Sequence, residues 1–268
     1  MTYNANHKTR IKDLKSLAVN FNTKTAVLDA NGLAHNALVR RKNLGSRPTD
    51  AQMAAIRNGS FTDMYIGDYW QNGSNVFTIV EFCYYLSAGS TWANQNNNNP
   101  LYSKPHVTLI NSGRLYNGGT EQFAAWNTVE NGYYGSAHND FLQTTGLTIV
   151  QNIFGDENIV AHRRCISQAV ADGKVTSIKY ENVKIDGVTA HQLAGPWVSA
   201  GERDPIFGNK QFALAVPAPQ YVYRFWGMKP LRTINSACTS PMLADYGTVG
   251  EGSNPTSYKE LLVTLTLG

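Results

Sequence analysis

Arg57-Asn58-Gly59-Ser60-Phe61-Thr62-Asp63-Met64-Tyr65-Ile66-Gly67-Asp68-Tyr69-Trp70 is the stretch on which the reading of this chain turns. Ahead of it, Thr49 and Gln52 stand at the spacing of a capping box, in which each side chain bonds the other's backbone N–H. Gly59 is placed to terminate the short helix that this box opens. Beyond the helix the run turns aromatic: Tyr65 and Ile66 precede Gly67, and Tyr69 and Trp70 follow Asp68. That composition opens a strand, with the glycine and the aspartate marking the bend into it.

Working outward, short strands dominate. Val76 to Phe82 is an apolar run entered through Asn72-Gly73, a hairpin signal because both residues accept positive φ. His106 to Ile110 reads as the next strand. Between them, Ser90 to Pro105 holds Asn94-Gln95-Asn96-Asn97-Asn98-Asn99-Pro100. This polar stretch has little to bury and is expected on the surface.

A helix is expected from about Ser136 to Phe154, with Phe141, Leu142, Thr145, Ile149 and Ile153 on its buried side and Gly155 as its stop. A further helix is expected over Val160 to Ala171, closed by Asp172-Gly173. Strands are expected at Thr176 to Tyr180, Val183 to Ile185, Gln220 to Trp226, Pro241 to Tyr246 and Glu260 to Leu267. Gly195 to Lys210 reads as a long loop.

The first 48 residues differ. Ile11, Leu14, Leu17, Ala18 and Phe21 fall three and four apart, as do Val27, Ala30, Ala34 and Leu38 in a second stretch, so two short helices are expected. Arg40-Arg41-Lys42 then sits at a helix end, where cations oppose the negative end of the helix dipole. Helices this short need a partner surface. Residues 1–48 are therefore read as a helical attachment segment and residues 49–268 as one α+β domain that is complete without them.

Composition narrows the function. The chain has 268 residues, 16% charged, with 14 Tyr, 10 Phe and 5 Trp, which excludes a disordered chain. Its net charge of +4 is dispersed, so no nucleic-acid surface is expected. Cys83, Cys165 and Cys238 are odd in number and widely spaced, matching neither a disulfide framework nor a metal site and fitting a reducing cytoplasm. Met1 to Arg10 is polar and reads as no signal peptide, and no apolar run approaches bilayer length.

Four pieces carry a resemblance. The run ending Ile66-Gly67-Asp68-Tyr69-Trp70 resembles an opening found in structural proteins of tailed phages and prophages. Gly132-Tyr133-Tyr134-Gly135-Ser136, Phe212-Ala213-Leu214 through Tyr221-Val222-Tyr223-Arg224, and Leu261-Leu262-Val263-Thr264-Leu265 resemble later parts of the C-type-lectin-like domain of such proteins. Lys259-Glu260 departs from the Val-Arg-Pro that precedes the last strand in that pattern. The resemblance spans roughly residues 49–268. It implies a C-type-lectin-like domain whose first and last strands pair, carried on a virion assembled in the bacterial host cytoplasm. Head fibre or capsid decoration is the first placement, and tail or baseplate adhesin the second. The implied partners are other virion proteins, reached through the N-terminal helices, sister copies in a homo-oligomer, and host-surface glycans.

Catalysis needs a nucleophile, a base and an orienting group together. The six histidines, at 7, 35, 106, 138, 162 and 191, form no such pattern and no metal-type pair. Glu202, Arg203 and Asp204 read as a solvated turn, and Trp126-Asn127-Thr128 is only a fragment of a Ca²⁺-lectin motif. Cys165 and Cys238 match no motif of the formylglycine-generating enzymes, which share this fold class. No catalytic residue, metal or cofactor is expected. A free carbohydrate-binding module remains the alternative, with an enzyme behind it. Strand aromatics are expected in the core, whereas Trp92 and Trp197 lie in loops and are binding candidates, together with Asn96, Asn97, Asn98 and Tyr102.

Overall fold

The structure is a computed structural model, which describes residues 33–85, 104–111, 114–122, 131–172, 174–194, 211–222, 229–234, 241–245, 248–251 and 262–268. These residues form an α+β fold whose sheets are antiparallel. The capping box is formed: Gln52 N–H donates to Thr49 Oγ1 at 3.2 Å and Thr49 N–H to Gln52 Oε1 at 2.9 Å. It opens α2 (Asp50–Arg57), which follows the single-turn α1 (Leu33–Ala37). The Asn72-Gly73 signal also holds. β1 (Tyr69–Asn72) turns back into β2 (Asn75–Phe82) with Asn72 facing Asn75 and Gly73 at φ +57°.

β3 (Val107–Asn111) pairs with β2, β8 (Ile185–Gly187) lies on the far edge, and β12 (Val263–Leu267) sits between β3 and β8. The resulting order is β1-β2-β3-β12-β8. The last strand therefore pairs with β3 and β8, not with the first strand, as the resemblance implied. Seven of the eight β2 positions are buried, so helices and loops cover both faces of the sheet.

The helix expected over Ser136 to Phe154 is present in three pieces. α3 (Ala137–Phe141) is capped by the Ser136 side chain, a wider π turn follows at Leu142–Gly146, and α4 (Leu147–Phe154) stops at Gly155. Ile149, Val150, Ile153 and Phe154 of α4 are buried in the core, and the Phe154 ring meets Phe77 edge-on at 5.0 Å. Burying side chains of this size stabilises by about 1.5–3 kcal/mol each.

Three expectations fail for physical reasons. Residues 162–171 are a strand, not a helix: β6 (His162–Ala171) pairs with β7 (Lys174–Val183) across Asp172-Gly173. Its inward positions step by two through His162, Arg164 and Ile166, and two of the three are polar, which hid the alternation. The chain leaves α1 at Ala37 and runs extended, so Arg40-Arg41-Lys42 caps no helix and Leu38 is 52% exposed. Pro219–Val222 is a helical turn, α6, where a strand was expected.

The remaining elements are short. β4 (Leu115–Asn117) and β5 (Thr120–Gln122) form a hairpin, and α5 (Ala190–Ala194) follows β8. β9 (Lys229–Ile234), β10 (Pro241–Asp245) and β11 (Thr248–Glu251) form a separate three-stranded sheet. Residues 11–32 of the expected N-terminal helices lie outside the described residues.

Residues 39–45 are woven into the domain. Tyr69 N–H donates to Lys42 O at 3.0 Å, Leu44 N–H to Tyr69 O at 2.8 Å and Gln71 N–H to Gly45 O at 2.9 Å. The outer edge of β1 is thereby covered, removing an open row of backbone groups.

Candidate functional site

All six binding candidates, Trp92, Asn96, Asn97, Asn98, Tyr102 and Trp197, lie outside the described residues. Their segments leave the fold at positions that are described, and those positions adjoin. Residues 86–103 run between the end of β2 and the start of β3. There Cys83 N–H donates to His106 O and Tyr85 N–H to His106 Nε2, both at 2.9 Å. His106 Nδ1 lies 2.7 Å from Lys104 O, so the ring donates there and accepts at Nε2. Residues 195–210 run between α5 and Phe212, whose N–H donates to Gln192 O at 2.8 Å.

Two contacts join the exits. The Tyr84 and Phe212 rings lie 4.8 Å apart, and Ala213 N–H donates to the buried Glu81 carboxylate at 3.1 Å. Tyr85 stacks on His162 at 4.8 Å with 15° between the planes. Tyr84, Tyr85 and Phe212 are buried, so this rim is a fixed base rather than an exposed aromatic platform.

A second polar centre lies under the hairpin β6–β7. The fully buried Arg164 guanidinium donates from Nη1 to Asp186, from Nε and Nη2 to Glu181 Oε1 at 3.1 and 2.5 Å, and from Nη2 to Asn139 Oδ1 at 2.7 Å. It also lies 5.5 Å above the Tyr133 ring. Asp186 Oδ1 accepts Gly187 N–H at 2.8 Å, and His162 Nε2 stands 3.9 Å from Asp186 Oδ2. Such a network satisfies buried charges whose desolvation would otherwise cost several kcal/mol each. Sequence reasoning missed it, although a signal was present. Reading Asp172-Gly173 as a hairpin turn places Arg164 opposite Glu181.

A third centre closes the opening motif. Asp68, fully buried, accepts from Arg40 Nη2 at 2.7 Å, Lys42 N–H at 2.9 Å and Tyr65 N–H at 3.0 Å. The Asp68 bond leads in raising the Arg40 pKa further. Exposed Asp63 bonds Lys42 and Arg40, in that order of weight, which pulls its carboxyl down to about 2.

A polar cleft of about 740 Å³ runs between residues 44–50 and the end of α4. Arg47, Asp50, Asn152 and Glu157 stand on its walls. The amides beside them are engaged within the fold: Gln151 Nε2 donates to Asp156 at 2.7 Å and Asn158 Nδ2 to Phe154 O at 2.7 Å. Among the described residues, no group of three or more His, Cys, Asp or Glu is placed to hold a metal ion.

Comparison of the chain with protein-family models, with curated proteins and with solved structures gives no match.

Proposed function

We propose that this chain is a phage or prophage virion structural protein displayed on the particle surface. It serves as a head fibre or capsid decoration, with a tail or baseplate adhesin as the second placement. The observation that carries the reading is the shared rim. The two segments bearing Trp92, Asn96, Asn97, Asn98, Tyr102 and Trp197 leave one end of a covered antiparallel sheet, tied together by Tyr84, Phe212 and Glu81. A rigid base carrying long polar and aromatic segments suits contact with a host-surface glycan or a neighbouring virion protein.

A C-type-lectin-like domain belongs to the same proposal. The resemblance around Ile66 to Trp70 supports it, and the pairing of β12 with β3 and β8 departs from it. The charged groups best placed for chemistry, Asp68, Arg164 and Asp186, are spent on holding the fold, which favours a structural role over catalysis. Attachment to the particle and to sister copies falls to the N-terminal segment, residues 1–48, of which residues 1–32 lie outside the described residues.

Immunogold labelling of particles released by the cell that carries the gene tests the placement. Label on the particle surface is expected, and particles without label overturn the reading. Replacing Asn94–Asn99 with a Gly/Ser linker, alone and with Trp92→Ala and Trp197→Ala, tests the rim. Folding should persist while particle adsorption or assembly falls. If both are unchanged, the segments are connections only.

A further inference from the structure

His138 is fully buried at the start of α3, and neither ring nitrogen has a hydrogen-bond partner. A buried polar group left unpaired is uncommon and calls for a physical account. Its ring meets Tyr133 edge-on at 5.8 Å, and the same Tyr133 carries the Arg164 guanidinium over its face. The charged and titratable groups of this corner come from every surrounding element. They are Arg164 and His162 on β6, Glu181 on β7, Asp186 on β8 and Tyr133 from the preceding turn, while Asp140 of α3 is exposed.

A proton on His138 has nowhere favourable to go. Asp186, the carboxylate whose charge acts on it, already accepts Arg164 and the Gly187 N–H. A cation in the first turn of a helix opposes the dipole. This corner also docks the hairpin. Asn139 accepts from Arg164, Tyr133 N–H donates to Ser167 Oγ at 2.8 Å, and Tyr134 N–H donates to Ser167 O at 2.9 Å. The hairpin pairs with no other strand among the described residues, so these contacts can open without breaking a ladder.

We propose that the corner is an acid-operated latch, in which protonation of His138 releases the β6–β7 hairpin from α3 and β8 while the five-stranded sheet stays folded.

Burial pushes the His138 imidazole down to about 4, with Asp186 opposing. In the open hairpin the ring returns to about 6.5, so the open form binds the extra proton between these values and closure weakens as pH falls through that window. The open-to-closed ratio should rise roughly 20-fold from pH 7 to pH 5.

Hydrogen exchange on the full chain, corrected for the intrinsic pH dependence of exchange, tests this. The Tyr133 and Tyr134 amides, which donate to Ser167 across the latch, should lose protection by about that factor between pH 7 and pH 5, while residues 75–82, 107–111 and 263–267 keep theirs. His138→Phe retains an aromatic ring without the titratable nitrogens and should hold protection at both pH values. Equal protection of the wild-type Tyr133 and Tyr134 amides at both values, or the same loss in His138→Phe, overturns the latch. If His138→Phe fails to fold, NMR titration of the wild-type His138 ring decides. Its midpoint must coincide with that of hairpin opening, and separate midpoints overturn the proposal.

Discussion

Arg40 grips Asp68 across 28 residues of sequence, with Nη2 2.7 Å from Oδ2 and Nε 3.0 Å from Oδ1. The pair binds the strand-like segment after α1 to the bend that opens β1. Because Asp68 also accepts two backbone N–H groups, one carboxylate fixes the path of both segments.

Asp68→Ala removes the acceptor, leaves the N–H groups of Lys42 and Tyr65 unpartnered and leaves Arg40 with Asp63 alone. A loss of about 3–5 kcal/mol is expected in urea unfolding followed by tryptophan fluorescence. A loss under about 1 kcal/mol would mean that water replaces the carboxylate freely.

Truncation should separate two boundaries. A chain starting at Leu33 keeps every contact described above and should melt within a few degrees of the full chain. A chain starting at Thr49 loses Arg40, Lys42 and the backbone bonds that cover β1, and should unfold or aggregate. Equal melting temperatures for both would show that residues 33–48 are dispensable.

Gly67 sits at φ +88°, and a Cβ there would run into the Arg40 carbonyl. Gly73, at φ +57°, faces open space. Gly73→Ala should cost about 1–2 kcal/mol from backbone strain alone, and Gly67→Ala clearly more because backbone must move. Chemical denaturation of the two variants reads the difference, and equal costs would contradict the close approach.

Asp63 gives a pH prediction with a defined sign. Its carboxyl is pulled down to about 2 by Lys42 and then Arg40, below its ordinary value. Its contribution is therefore present above the unfolded value and lost as pH falls through about 2. NMR titration of the Asp63 side chain should find that midpoint in low salt, and Lys42→Met should return it toward the ordinary carboxylate range. An ordinary midpoint in the wild type would mean that solvent screens the pair completely.

Local features were legible in the sequence. Thr49 with Gln52, Asn72-Gly73, the β2 run and the Gly155 stop each depend on neighbours a few residues away, and each was read correctly. Non-local features were not. Nothing near Arg40 announces Asp68, and the terminal strand carries no mark of its place between β3 and β8. β6 was misread because His162 and Arg164 occupy inward positions where a pattern search expects apolar side chains. Arg164 can be buried there only because Glu181, Asp186 and Asn139, from three different elements, converge on it. Of the candidate site, the sequence named two segments that lie outside the described residues, and the structure adds only that their exits adjoin.

The position of β12 bears on how the chain reaches its fold during synthesis. Leu265 pairs with Leu109 on one side and Ile185 on the other, so an interior lane of the sheet is filled by a strand made after both of its neighbours. Until residues 263–267 have cleared the ribosome, β3 and β8 face each other across an empty lane, and the hairpin β1–β2 with β3 must wait as an incomplete sheet. Closure of the core thus waits for β12 and cannot be completed while only β1 to β8 have emerged. A ribosome stalled before β12 would release a chain with two sticky strand edges and no means of sealing them.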